Sequence, residues 1–483
     1  MADPFHLTII GTRFPQLALG TLLAKRGKRV LIVDTVSARS DSDGSGIKGY
    51  RFRKRPVPMY GLDSGGFLRM FLDEIGIGRV LVNQTYPVNE VSYQVVLPRH
   101  RLNIYPKRDR LLAEIAREFP GNMDTIRALY EEWDTIAADW YRGQDNLEDL
   151  EKGWLHTAGI AKRLKGFFHT RKMGERIRSF DASSPEHAFF AVQHQFLGAF
   201  PQTAAIPPLP GALIHNIGRR GTYQESTGTG GLTTLILQRF QEYGGELQED
   251  VKALSVQTSA REGLSLDLSD GRRINTRTLS TTAGIAATID GLGQKISLTA
   301  SKGPAQTYPF RFYLGIEDRI VPQGMEDNLF FMREDDGGPL KIKSCYLALS
   351  PSGSDMAPEG KRSVTVTTLL SRQDLENIGP DSIGAVQEDL LQALEAVIPF
   401  LSEGLTAVSS DLRPQEGSRI SRALPTGVTA WSPGIIGRMS VASRLRGRAA
   451  IINPTPWELG IEGEALATLA AAGTLKKTLG MAG

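Results

Sequence analysis

Apolar positions gather in three blocks of the chain, and each block changes period part-way, as alternating strands and helices do. In the first, Leu7 to Ile10 is a continuous apolar run of the right length for one buried strand. After Gly11, the residues Leu17, Leu19, Leu22 and Leu23 fall where a helix over Leu17 to Arg26 would lay them on a sheet. Gly27 stops that helix, and Arg29 to Asp34 reads as a second strand. The block is therefore a strand, turn, helix and strand unit of about 28 residues, the size of a nucleotide-binding βαβ.

The second block, Gly228 to Gln257, offers a Gly-rich turn, a helix over Leu232 to Tyr243, a Gly-Gly stop and two strand-like runs. A hairpin turning at Asp270-Gly271 follows and leads into a strand near Thr278. In the third, Gly447 to Leu479, a strand, a loop with two prolines and a helix opened by glycines succeed one another. Between the blocks lie a helix-rich region, residues 71–224, and a strand-rich region, residues 301–439. In the latter Tyr308 to Ile316, Leu329 to Met332, Ile342 to Leu349 and Ser363 to Leu370 read as strands, and Ile383 to Val397 as a helix. No internal repeat is visible. This predicts an α/β fold, a discontinuous domain interrupted by two insertions that together form a second domain.

Composition narrows the picture little. The 483 residues are 41% hydrophobic and 23% charged, a globular balance. A net charge of +3 is too mild to argue for nucleic acid. Cys345 is the single cysteine, so no internal disulfide is available, a reducing compartment is expected, and the thiol reads as a small buried apolar group. The start of the chain lacks the pattern of a secretory leader, and no apolar run reaches the ~18 residues of a membrane span. The expected setting is cytoplasmic, with contact at a membrane surface left open.

In this order and at these distances, the three blocks resemble the FAD-dependent amine oxidase and phytoene desaturase superfamily. More loosely they resemble the Rab GDP-dissociation inhibitors, which share that fold without using flavin. The first motif of the family covers Leu7 to Asp34, its central Gly-Gly, helix, "GGE" and strand motif is similar to Gly230 to Val251, and its C-terminal motif looks like Ile451 to Ala467. Gly49 to Ile77 has the outline of the segment that follows the second strand. The resemblance implies a discontinuous Rossmann-like FAD/NAD(P)-binding domain over 1–70, 225–300 and 440–483, with an α+β substrate domain over 71–224 and 301–439. It also implies that Gly11, Arg13, Gln16, Asp34, Val251, Asn453, Gly460 and Gly463 would contact FAD, were it bound.

Several of those positions depart from the family pattern. In the G-x-G-x-x-G fingerprint the first glycine makes the turn, the second admits the pyrophosphate and the third lets helix and strand approach. Here they are Gly11, Arg13 and Gln16. Pro15 removes one backbone N–H where the helix would bind an anion. Arg13 has two readings: a guanidinium that pairs with phosphate, or a side chain that plugs or leaves the site. The Gly-Gly-Arg type loop expected after Asp34 is replaced by a stretch with Gly44 and Gly46 separated by Ser45, and the C-terminal Gly-Asp pair by Ile452-Asn453. Gly460 and Gly463 in "WELGIEGEAL" are the best-preserved local match.

Other constellations add little. The seven histidines form no H-x-x-x-H pair; His187 and His194 could share a helix face, but a zinc site is not expected. No G-x-S-x-G elbow is present, and "ESTGTGGL" lacks the Lys-Ser/Thr ending of a P-loop. Ala161 to Phe180 interleaves seven basic residues with Leu164, Phe167, Phe168, Met173 and Ile177, which suits either an anionic membrane surface or a solvated helix face. Phe189 to Phe200 and Ala204 to Ile214 would line an apolar substrate tunnel in this family, or serve as plain core. Two functions stay open: an FAD-dependent oxidoreductase-like protein acting on a large apolar, isoprenoid- or lipid-like ligand, and a non-catalytic escort that holds a lipid, a prenyl group or a protein. No catalytic residue is singled out, and no metal is expected.

Overall fold

The computed structural model describes residues 3–34, 47, 49–53, 58–142, 180–198, 208–225, 231–259, 263–282, 289–291, 307–334, 342–371, 374, 382–410, 439–442, 449–452 and 460–479. In chain order it begins with β1 (Phe5–Ile10), α1 (Phe14–Lys25), β2 (Val30–Val33), β3 (Met59–Tyr60), α2 (Phe67–Glu74), α3 (Arg79–Thr85), β4 (Tyr93–Leu97) and β5 (His100–Ile104). There follow α4 (Arg108–Glu118), α5 (Met123–Arg142), α6 (Pro185–Gly198), α7 (Pro208–Arg220), β6 (Thr222–Tyr223), α8 (Leu232–Glu242), β7 (Glu246–Gln248), β8 (Ala253–Ser259), β9 (Gly263–Leu268) and β10 (Arg273–Thr282). The remainder comprises β11 (Thr307–Glu317), β12 (Asn328–Met332), β13 (Ser344–Leu349), β14 (Lys361–Ser371), α9 (Ser382–Leu394), α10 (Leu401–Gly404), β15 (Leu405–Ser410), β16 (Met439–Ala442), β17 (Ala449–Ile452) and α11 (Gly460–Thr478).

The first sheet has the order β16-β17-β10-β1-β2-β7, with β9 and then β8 added from β10. Strands β17, β10, β1, β2 and β7 run parallel, and the apolar residues of β1 (Leu7, Ile9 and Ile10) and β2 (Val30 to Val33) are buried, as parallel strands covered on two faces require. Helix α1 starts at Phe14, three residues before the amphipathic pattern suggests, because Pro15 sits in its first turn, where a missing N–H costs no helical bond. It ends at Gly27, whose φ of +74° only glycine adopts without strain, and the Gly27 and Lys28 amides close on Ala24 and Leu23 carbonyls at 2.9 and 3.1 Å. The expected turn between β9 and β10 is present, with Gly271 at φ +83°.

The second sheet has the order β15-β11-β14-β13-β12-β4-β5 and is antiparallel except where β12 meets β4. Its strands alternate between two cores with the period of two that a pleated strand imposes. Leu329 and Phe331 of β12, with Cys345 and Leu347 of β13, pack beside Val386, Leu390 and Leu394 of α9. Phe330, Tyr346 and Ala348 face the opposite way, into the larger cluster that includes Phe189 and Phe196 of α6. The pair β4 and β5 lies inside the region that the sequence marks as helix-rich. Its turn, Leu97-Pro98-Arg99-His100, carries none of the Asn-Gly or Asp-Gly chemistry that announces a hairpin.

A two-stranded ribbon, Met59 against Tyr223 and Tyr60 against Thr222, joins the segment after β2 to the end of α7. Helix α11 lies over α1 and α2, with Ile461, Ala465, Leu469 and Leu475 in the same core as Leu17, Leu23 and Leu68. Among the described residues no helix is long and apolar enough to cross a membrane.

Candidate functional site

In an open parallel sheet, ligands bind beyond the carboxyl ends of the strands, where the strand order reverses about β1. The register Ile10 with Val33 places Gly11 and Asp34 side by side at that edge. Gly11 holds φ at +108° and donates its amide to the Val33 carbonyl at 2.8 Å, so the first fingerprint position makes the turn that the pattern expects. Asp34, 1% exposed, accepts a hydrogen bond on Oδ1 from Thr12 Oγ1 at 2.8 Å. Its amide donates to Gln248, and its carbonyl accepts the amide of Val251 at 3.2 Å. The structure thus brings Gly11, Asp34 and Val251 together.

Arg13 and Gln16 diverge. Arg13 is exposed at the N-cap of α1, and its carbonyl accepts the amides of both Gln16 (3.0 Å) and Leu17 (3.1 Å). Gln16 is fully buried, with Nε2 reaching the Ile10 carbonyl at 3.5 Å and Oε1 lacking a hydrogen-bond partner. The close approach assigned to the third glycine instead occurs one turn later: a Cβ on Gly20 would lie 2.9 Å from Ile32 Cδ1.

These residues do not fit a dinucleotide held in the usual way. Anion binding at a helix start needs free first-turn amides. Here Pro15 has none, that of Gln16 is bonded to Arg13, and residues with side chains, Arg13 and Gln16, stand at the positions that glycine would leave bare. Thr12 already holds one oxygen of the carboxylate that would receive the ribose. Of the family's features, the turn and the acidic strand end are present and the phosphate cradle is altered.

At the helix facing this edge, Gly460 opens α11 with φ +44°, and Gly463 is buried. Asn453, Gly230, Gly44, Gly46, Trp457 and residues 161–179 lie outside the described residues. Between the two glycines stands Glu462, a residue that the motif reading passes over. The Glu462 side chain is 1% exposed and accepts the Phe67 amide at 2.8 Å, Tyr141 Oη at 3.2 Å and Arg220 Nη1 at 3.1 Å. Arg220 also forks onto Asp63, through Nε at 3.1 Å and Nη2 at 2.5 Å, and lies 4.0 Å over the Tyr141 ring. Burial raises the Glu462 carboxyl above the usual range, against the lowering pull of Arg220. The geometry needs Gly61: a Cβ there would sit 2.9 Å from the Glu462 carboxyl carbon, and its φ is +85°.

Beside this lock opens a cleft of about 440 Å³, lined by Leu62, Asp63, Ser64, Arg69, Tyr86, Val88 and Tyr223. Its walls combine the apolar Leu62, Val88 and the ring of Tyr86 with the polar Asp63, Ser64 and Arg69. The other sequence candidates sit elsewhere. His187 and His194 share α6, but His194 pairs with His215 of α7 rather than with His187. Cys345 is buried in β13, with its thiol pushed up by burial. Among the described residues no three metal-ligating side chains converge.

No family model matches the chain. It is similar to the chloroplast prolycopene isomerase of Arabidopsis thaliana, 22% identical over 433 residues that cover 83% of this chain and 70% of that protein. Among solved structures it superposes on an oxidoreductase from Methanosarcina mazei (TM-score 0.57, 12% identity, 96% and 99% of the two chains). It also superposes on cyclohexylamine oxidase from Brevibacterium oxydans (TM-score 0.55, 13% identity, 99% and 100%). A putrescine oxidase variant redesigned in its cofactor binding matches as well (TM-score 0.57, 12% identity, 98% and 99%).

Proposed function

We propose that this chain, which has the outline and fold of the FAD-dependent amine oxidase and phytoene desaturase superfamily, holds a large apolar, isoprenoid- or lipid-like ligand on a scaffold whose dinucleotide cradle no longer grips FAD. The observation that carries the loss of flavin is the end of β1, where Arg13 and Gln16 replace the glycines and Thr12 engages Asp34. Every altered position lies where a dinucleotide would touch protein, while the packing residues Leu17, Leu23, Val30 and Val33 remain in the core. Such a distribution follows when a fold is kept for its cavity. Similarity to a prolycopene isomerase supports a polyene-like ligand, and the cleft beside Tyr223 supplies aromatic and aliphatic walls for one. Its role is then to bind and position that ligand or carry it, with no redox step assigned to the chain's own side chains.

A second reading, an FAD-dependent oxidoreductase on the same ligand class, is favoured by Asp34, which keeps the ribose position at the end of β2. One experiment separates the two. The visible absorption of the purified protein is recorded before and after incubation with excess FAD and removal of unbound flavin, and bound lipid is extracted for mass spectrometry. A colourless protein that releases an apolar molecule supports binding without flavin; stoichiometric flavin bands would overturn it in favour of the oxidoreductase.

A further inference from the structure

We propose that a small chamber behind Tyr223 is the subsite for a single neutral oxygen, hydroxyl or carbonyl, at the end of the apolar ligand; the inference rests on the apolar-ligand reading above. The chamber is lined by Arg53, Met59, Tyr223, Glu225, Asn328 and Tyr346 among others, with a volume of about 10 Å³. That is room for one water-sized group.

Its chemistry is set by Arg53, which is 8% exposed. The guanidinium Nε and Nη2 are buried with no hydrogen-bond acceptor, although native interiors pair nearly every such donor. Nε stands 3.5 Å from Glu225 Oε2, close enough to neutralise the charge and too far and misaligned for a good hydrogen bond. The Tyr346 hydroxyl donates to Asn328 Oδ1 at 2.7 Å, so these two wall residues are committed to each other. Arg53, with two unpartnered donors, therefore lines a space that holds one heavy atom. A carboxylate is too large for it and would face Glu225, whereas a hydroxyl or carbonyl oxygen accepts from Arg53 at no charge penalty.

Chamber and cleft share one lining residue. Tyr223 lines both, and its backbone is fixed by pairing with Met59 in the ribbon. In this assignment a ligand lying along Leu62, Tyr86 and Val88 passes Tyr223 to bring its polar end to Arg53.

The test is a matched pair of probes, geranylgeraniol and the hydrocarbon of the same skeleton without the hydroxyl, bound to the full chain and followed by quenching of tryptophan fluorescence. The wild-type protein is expected to prefer the alcohol by roughly tenfold, the value of one hydrogen bond to a charged donor. In the double variant Arg53→Met with Glu225→Leu, which leaves no unpaired carboxylate, the preference should vanish while hydrocarbon affinity stays unchanged. Should that variant fail to fold, Arg53→Lys, which keeps the charge beside Glu225 and removes the guanidinium fork, is expected to reduce the preference in the same direction. Equal binding of the two probes by wild type, or a preference that survives in the variant, overturns the subsite and leaves apolar binding standing. Binding of neither probe overturns the apolar-ligand reading itself.

Discussion

Arg220 Nη1 donates to both carboxylate oxygens of Glu462, at 3.1 and 3.3 Å, across 242 positions of sequence. The pair fastens the end of α7 to the start of α11, and Asp63 and Tyr141 complete the ring of partners. Breaking a buried pair from one side leaves an uncompensated charge, at a cost of about 3–5 kcal/mol. Arg220→Met is therefore expected to lower the urea midpoint sharply. Arg220→Met with Glu462→Met, which removes both charges, should recover much of the loss. A double variant as unstable as the single would show that the ion pair itself, and not the orphaned carboxylate, carries the stability.

Restoring the fingerprint tests whether two side chains close the cradle. Arg13→Gly with Gln16→Gly removes the group at the pyrophosphate position and the one beneath the turn. The variant is expected to quench FAD fluorescence in a titration where the wild-type protein does not. If both stay inert, the obstruction lies elsewhere, and Thr12→Ala, which frees Asp34 Oδ1, becomes the next change to measure.

Much of the scaffold is legible because it rests on period and punctuation. The run Leu7 to Ile10, the stop at Gly27 and the Asp270-Gly271 turn each express a local rule, and the structure places β1, the end of α1 and the β9–β10 hairpin on them. Fingerprint departures at Arg13 and Gln16 are equally visible, since glycine has a stated task at those positions. What stays hidden depends on long-range pairing. Glu462 reads as one more acid in a helix until Arg220 and the Phe67 amide arrive from distant segments, and Arg53 reads as one of several basic residues in "RFRKR" until burial strips it of water. The sole hint for Glu462 is its place between two glycines at a helix start.

Gly66 illustrates a backbone constraint that no side chain can relax. An added Cβ would lie 2.0 Å from the Gly61 carbonyl oxygen and 2.7 Å from Arg220 Nη2. Since the Gly61 carbonyl also accepts the Arg69 amide at 2.9 Å, it cannot retreat without loosening the first turn of α2. Gly66→Ala should destabilise by at least about 1–3 kcal/mol, as overpacking does. It should also weaken ligand binding in the cleft at Leu62 and Asp63, measured with the hydrocarbon probe. Gly78→Ala, where a Cβ meets nothing within 4 Å, is the control expected to change neither.

The last prediction concerns pH. His194 Nε2 and His215 Nε2 lie 2.8 Å apart in the core, one donating and one accepting when both rings are neutral, and His215 Nδ1 is buried without a partner. Trp133 stacks on His215 at 4.0 Å, and Phe190 and Tyr130 close the remaining sides. Burial holds His194 down to about 3, with the charge of His187 adding to the effect, and burial together with His194 holds His215 well below its ordinary value. In the unfolded chain both titrate near 6.5. Below that pH the unfolded state takes up protons that the folded state refuses, so the pair's contribution is complete above about pH 6.5 and declines as pH falls toward about 3. Each imidazole should contribute a slope of up to about 1.4 kcal/mol per pH unit in that window. Urea midpoints at about pH 7.5, 6 and 5 measure it, with His194→Leu and His215→Leu combined as the reference that retains every carboxylate. The wild-type protein is expected to lose stability more steeply than the double variant below about pH 6.5, and the two should run parallel above it. Parallel curves throughout would mean that these rings take up protons equally in the folded and unfolded states and that acid sensitivity arises from the carboxylates.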